Sequence, residues 1–200
     1  MQPWVPVVVS GSALLVSILT AWLTLWRRGM VKMTQPTVIY FGYEKGNTVT
    51  PKVHLRTLLY ATSKRGRVIE SLYVRLRRGD TTQNFAIWIY GEKELSRGSG
   101  LYVPESGVGV NHHFLLPRDI TEYRFVAGEY NIGVYAVVIG RSVHELLFST
   151  TLNLSMENAR QISENRQSGI YFDWSPDARR YDPHFRAFGS AVVNSAETAR

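Results

Sequence analysis

The feature that most constrains this chain is its opening stretch. The first 26 residues carry no charged side chain, and Val5 to Trp26 reads VPVVVSGSALLVSILTAWLTLW. At 1.5 Å per residue this run makes a helix of about 33 Å, against a hydrocarbon core of about 30 Å, so Trp4 to Trp26 is expected to cross a bilayer once with modest tilt. Pro6 falls in the first turn, where a missing N–H costs nothing. Trp4, Trp22 and Trp26 lie near the ends, where indole rings favour the water–lipid interface. A buried core helix would be shorter and show a polar face. A cleaved signal peptide would need a basic start and small residues before the cut, whereas no Lys or Arg precedes the run and Leu25-Trp26-Arg27-Arg28 follows it.

Orientation follows from the first cations. None precedes the apolar run, while Arg27, Arg28 and Lys32 come directly after it. The positive-inside rule then puts the N-terminus outside and everything after the span in the cytoplasm. The absence of cysteine fits poorly with a disulfide-stapled ectodomain. Ala13, Ser17 and Ala21 form a small-residue stripe through which two copies could approach as a homodimer.

Beyond the anchor (1–28) and a polar connector (29–36), residues 37–155 alternate short apolar runs with Gly, Pro, Asn and Asp breaks, the pattern of an all-β domain. Val68, Glu70, Leu72, Val74 and Leu76 read as the inward face of one strand, with Ser71, Tyr73, Arg75 and Arg77 on a wet face. Phe85 to Tyr90 (FAIWIY) reads as one central strand. Tyr130, Ile132, Val134, Ala136 and Val138 form another inward row. Across a turn at Gly140-Arg141-Ser142, the chain from Val143 to Leu154 places Leu146, Phe148, Leu152 and Leu154 at even positions, completing an antiparallel hairpin. Further strands are expected at Val38 to Tyr43, His54 to Thr62, Leu101 to Val103 and His113 to Leu116. The seven to nine strands suit an antiparallel β-sandwich.

Ala127-Gly128-Glu129-Tyr130-Asn131-Ile132 resembles the start of the penultimate strand of immunoglobulin-like and fibronectin-type-III-like domains. The likeness covers the 25 or so residues of this hairpin. Ile132 stands two places after the tyrosine, where an antibody-type domain has cysteine. The resemblance implies a sandwich and no activity.

From Ser155 the composition turns polar, and Ser155 is placed to cap a short helix over Met156 to Gln167. The segment 156–188 then becomes aromatic and basic, and 189–200 reads as a disordered tail. Tyr171, Phe172, Trp174, Arg179, Arg180 and Tyr181 either pack back on the sandwich or form a docking surface for a protein partner, since aromatic and Arg side chains dominate binding hot spots.

No catalytic, metal or cofactor motif is visible. His54, His112, His113, His144 and His184 have no metal-ligand spacing, no Gly-x-Ser-x-Gly elbow is present, and the glycine-rich stretch from Gly98 to Gly109 opens no helix. No cofactor is expected. The net charge of +7 lies wholly after the apolar run. It clusters at Arg27 and Arg28, at Lys64, Arg65 and Arg67, and at Arg75, Arg77 and Arg78, which are candidate contacts for an anionic surface. The expected function is therefore a non-enzymatic, membrane-anchored binding or adaptor module for a protein partner. A basic, membrane-tethered effector binding anionic lipid or nucleic acid is the alternative, with nucleic acid the less favoured of the two because no nucleic-acid motif is present. An unrecognised hydrolase is a further alternative.

Overall fold

In the computed structural model, residues 4–26, 29–44, 50–91, 94, 96–98, 100–117, 123–166 and 168–187 are described. The apolar run forms helix α1 (Val5–Ala21), continued by a π turn over Trp22–Trp26. Val5–Thr24 is long and apolar enough to cross a membrane, and none of it is buried against the rest of the chain. Its hydroxyls bond back into the helix: Ser12 to the Val9 carbonyl (2.9 Å), Ser17 to Ala13 (2.9 Å), Thr20 to Val16 (2.7 Å) and Thr24 to Thr20 (2.7 Å). That meets the demand that every polar group in hydrocarbon find its partner internally. Length, composition and exposure fit a membrane anchor or a signal sequence equally.

The remainder is two antiparallel sheets packed face to face. The larger uses β1 (Val31–Met33), β2 (Val38–Tyr43), β3 (Pro51–Ala61), β6 (Ile87–Gly91), β7 (Ser96–Arg97), β9 (Val108–Leu115), β12 (Ser168–Ser175) and β13 (Arg180–Ala187). The smaller uses β4 (Arg67–Arg78), β5 (Thr81–Phe85), β8 (Leu101–Val103), β10 (Gly128–Val138) and β11 (Glu145–Leu154). The larger sheet runs β13-β12-β2-β3-β9-β6-β7, with β1 beside the end of β3; the smaller runs β11-β10-β4-β5, with β8 beside the start of β4. Helix α2 (Met156–Glu164) links β11 to β12. Ser155 caps it by accepting from the Asn158 N–H at 3.1 Å, and Ile162 seals it to the core.

Several strands differ from their expected register. In β4 the buried residues are Ile69, Leu72, Val74 and Leu76, while Val68 and Glu70 face out. A bulge opposite Val137 and Val138 shifts the face by one residue, which resolves the oddity of an inward Glu70. FAIWIY is two strands, because Phe85 ends β5 in the smaller sheet and Ile87 starts β6 in the larger, with the chain changing sheets at Ala86. The β10–β11 hairpin forms as expected, and all five inward residues of β10 are buried. A second bulge, between Val134 and Tyr135, turns Leu146 out to 54% exposure.

The larger sheet extends past residues 37–155 at both ends, taking β1 from the connector and the β12–β13 hairpin from the aromatic tail. Ile170 and Phe172 of that hairpin enter the common core beside Ile39, Phe41, Tyr130 and Ile132. Phe172 meets Phe41 edge-on at 5.2 Å.

Chain direction gives the sandwich a near end and a far end relative to α1. Gly29 packs on Ser63, and Met30 exchanges hydrogen bonds with Thr62 through its N–H (2.8 Å) and carbonyl (2.9 Å). The β3–β4 turn at Thr62–Gly66 therefore lies where the chain leaves the helix. The β4–β5 turn, at Gly79 and Asp80, lies at the opposite end of β4.

Candidate functional site

Strand β4 carries candidate cations at both ends, and the fold keeps them apart. Arg67 to Arg77 is ten residues of strand, roughly 33 Å at ~3.3 Å each. At the far end, Tyr73, Arg75 and Arg77 share the outer face of the smaller sheet, paired with Tyr135, Gly133 and Asn131 of β10. Tyr73 and Tyr135 stack at 5.1 Å with planes 8° apart. The Arg75 guanidinium lies 4.8 Å above the Tyr135 ring, and its Nε donates to Asn84 Oδ1 at 3.1 Å. The Tyr73 hydroxyl meets His144 Nδ1 at 3.1 Å. A stacked pair contributes about 0.5–1.5 kcal/mol beyond area burial, and a cation over an exposed ring about 0.5–1 kcal/mol, so the platform is held before any partner arrives.

Gly133 shapes this surface. A Cβ there would lie 2.8 Å from the Tyr135 ring, so the bare backbone lets the tyrosine lean across it. The result is a cleft of about 450 Å³ bordered by Arg75, Arg77, Asn131, Tyr135 and Ser149. Among the described residues neither Arg75 nor Arg77 is ion-paired. Arg78 points differently, into a separate cleft with Tyr123 and Val126.

At the near end, Arg65 and Arg67 border a cleft of about 340 Å³ with Ser63, Gly66, Tyr102 and Ile139. Lys64 is exposed at the tip of the same turn. Arg27 and Arg28 lie outside the described residues.

The aromatic tail divides by depth of burial. Phe172 is 1% exposed and is core, so it offers nothing to a partner. Trp174 and Tyr181 lie against each other at 5.1 Å, and the Tyr181 hydroxyl donates to the Pro36 carbonyl at 2.8 Å, fixing the hairpin to the start of β2. Arg179, in the turn, and Arg180, at the start of β13, stay exposed, with Arg180 donating to Asp182 at 2.8 Å. Ala13, Ser17 and Ala21 lie on the exposed helix, where the Ser17 hydroxyl is taken by Ala13.

A cluster invisible in the linear order of residues runs across the larger sheet. Register places His184, Tyr171, Tyr40, His54 and His113 side by side on five strands. Tyr40 lies over the bare backbone of Gly42 and Gly169, which leave room for its ring. His54 and His113 face each other at 4.6 Å, and burial lowers them to about 4 and about 3. On the opposite, inward face His112 accepts from the Trp88 Nε1–H at 3.1 Å and is likewise lowered by burial to about 3. These are neutral rings at neutral pH. Among the described residues no group of three potential ligands converges on a metal position.

No family model, no curated protein and no solved structure matches this chain.

Proposed function

We propose that the chain is a single-pass, membrane-anchored binding module, with its N-terminus outside and its sandwich in the cytoplasm, presenting the far end of the smaller sheet to a protein partner. The observation that carries this reading is the Tyr73–Tyr135–Arg75 platform beside Arg77, set on central strands at the end of β4 away from the helix. Rigid aromatic rings flanked by arginines are the side chains that dominate protein interfaces. Asp80 also borders the cleft, yet among the described residues neither guanidinium is ion-paired, which suits a partner that brings carboxylates. The exposed apolar helix and the cations that follow it support the anchor and its direction.

Kinship with immunoglobulin-like sandwiches is supported by Tyr130, whose hydroxyl donates to the Val126 carbonyl at 2.7 Å and accepts from the Val126 N–H at 3.0 Å. A tyrosine closing the corner before its own strand is a habit of those domains.

The test uses the full chain in native membranes, with a photo-crosslinker at Ser149, which borders the cleft and is exposed. One predominant crosslinked protein is expected, lost in the Arg75→Glu/Arg77→Glu double variant and kept in Arg179→Glu/Arg180→Glu. Equal loss in both variants overturns the assignment of the surface. Protease digestion of the sandwich from outside intact cells overturns its cytoplasmic placement.

A further inference from the structure

The near end holds polar groups that the fold itself does not satisfy. Among the described residues, Ser63 Oγ and Arg67 Nε are buried without a hydrogen-bond partner, and both residues border the 340 Å³ cleft. Leaving such groups unpaired is costly, more so for a charged one. Arg67 makes one bond there, from Nη2 to the Ile139 carbonyl at 3.3 Å, and among the described residues it has no ion pair. Tyr102 walls the cleft. Its ring lies on Gly66, whose φ of +66° and missing Cβ allow the contact, and its hydroxyl donates to the Arg65 carbonyl at 3.2 Å. The site is thus built, with a guanidinium and a hydroxyl beside an open, cation-rimmed mouth.

Its rim is apolar as well as basic. Ile139 is 57% exposed and Tyr102 54%, beside the exposed Lys64. Trp26 ends the helical run and Gly29 already touches Ser63, so three peptide steps of at most about 11 Å join this end to the helix. An apolar rim mixed with cations, tied that closely to an apolar helix, suits the interfacial layer of a bilayer, where such side chains are stabilised.

Resting on the anchor reading above, we propose that this cleft binds the phosphate of an anionic phospholipid headgroup, with Arg67 and Ser63 as donors, Lys64 and Arg65 at the mouth, and Ile139 and Tyr102 seated among the lipids. The sandwich then stands end-on, its far end directed away from the bilayer.

The test places the full chain in nanodiscs of phosphatidylcholine alone or with phosphatidylglycerol, and follows hydrogen exchange at 62–66 and 138–143. Protection that appears only with phosphatidylglycerol is expected. Removing one cation should weaken that response about fivefold, in Arg67→Gln and, because Arg67 lies within a strand, also in the exposed Lys64→Gln. Arg77→Gln at the far end should leave it unchanged. Protection indifferent to lipid charge, or equally reduced by Arg77→Gln, overturns the proposal. Failure of the anchor reading looks different: an alkaline carbonate wash would then strip the chain from its native membrane.

Discussion

The two ends of β4 carry similar arginines in dissimilar settings. At the far end Arg75 and Arg77 lie on an open sheet face, one supported by stacked tyrosine rings. At the near end Arg67 is drawn into a cleft, with its Nε away from water and unpaired. The first arrangement suits a broad partner that brings its own shape. The second suits a small anion that enters a shaped hole. The neighbours, rather than the strand, make the difference. Both ends have arginine in an alternating strand, and the contrast comes from what each borders, a bare Gly133 in β10 or the buried turn holding Ser63 and Gly66.

Acid is expected to have the largest effect and asks whether the two ends share one core. His54, His112 and His113 sit in the larger sheet with folded-state values of about 4, 3 and 3, below an ordinary 6.5. Their neutral forms are favoured in the folded state. The stability this gives is whole above pH 6.5 and is lost as pH falls toward 3, the unfolded chain binding the extra protons. Thermal melts across this range should drop steeply below pH 6, with His112→Phe flattening the curve. Hydrogen exchange should show both ends of β4 loosening together; one end opening alone would mean that the ends are independent units.

Next in size is Gly66→Val. A β-branched residue at φ +66°, with Tyr102 against its Cβ, is expected to cost about 2–3 kcal/mol. Exchange should rise at 62–66 and 138–143, while the Tyr73–Tyr135 stack is kept. Gly133→Val is the far-end counterpart and should cost about 1–2 kcal/mol by pushing Tyr135 off the strand. Its near-UV circular dichroism in the tyrosine region should change and partner crosslinking should fall, with the lipid response intact. Smallest is Ser155→Ala, about 1 kcal/mol from the lost α2 cap. Its fraying should stay in 156–164, and any change at Thr62–Gly66 would contradict the separation of the ends.

Much of the fold was legible. The anchor-like helix declares itself by length and missing charge, and β10 by strict alternation that the structure keeps residue for residue. Tyr73, Arg75 and Arg77 were rightly placed on a wet face. Their partner Tyr135 was not foreseeable, because it stands 62 positions later and only the β4–β10 register brings the rings together. The bulges hid for a related reason. A strand that slips by one residue changes which side chains are inward, and single-strand alternation cannot see the partner that forces the slip. In the tail, Phe172 and Trp174 look alike as sequence and share a strand face, yet Phe172 is sealed in the core while Trp174, near the end of the strand, is only half-buried.

What the sequence determined by itself is local: an uncharged run long enough to span a bilayer, alternation that yields half-buried strands, and a serine that starts a helix. These depend on neighbours a few residues apart, where covalent geometry sets the spacing. The tertiary structure decided which sheet each strand joins, that FAIWIY is shared between the two, and that the cations of β4 lie at opposite ends with different surroundings. Those outcomes depend on pairings between residues far apart in the chain, which only closing the core against competing registers can select.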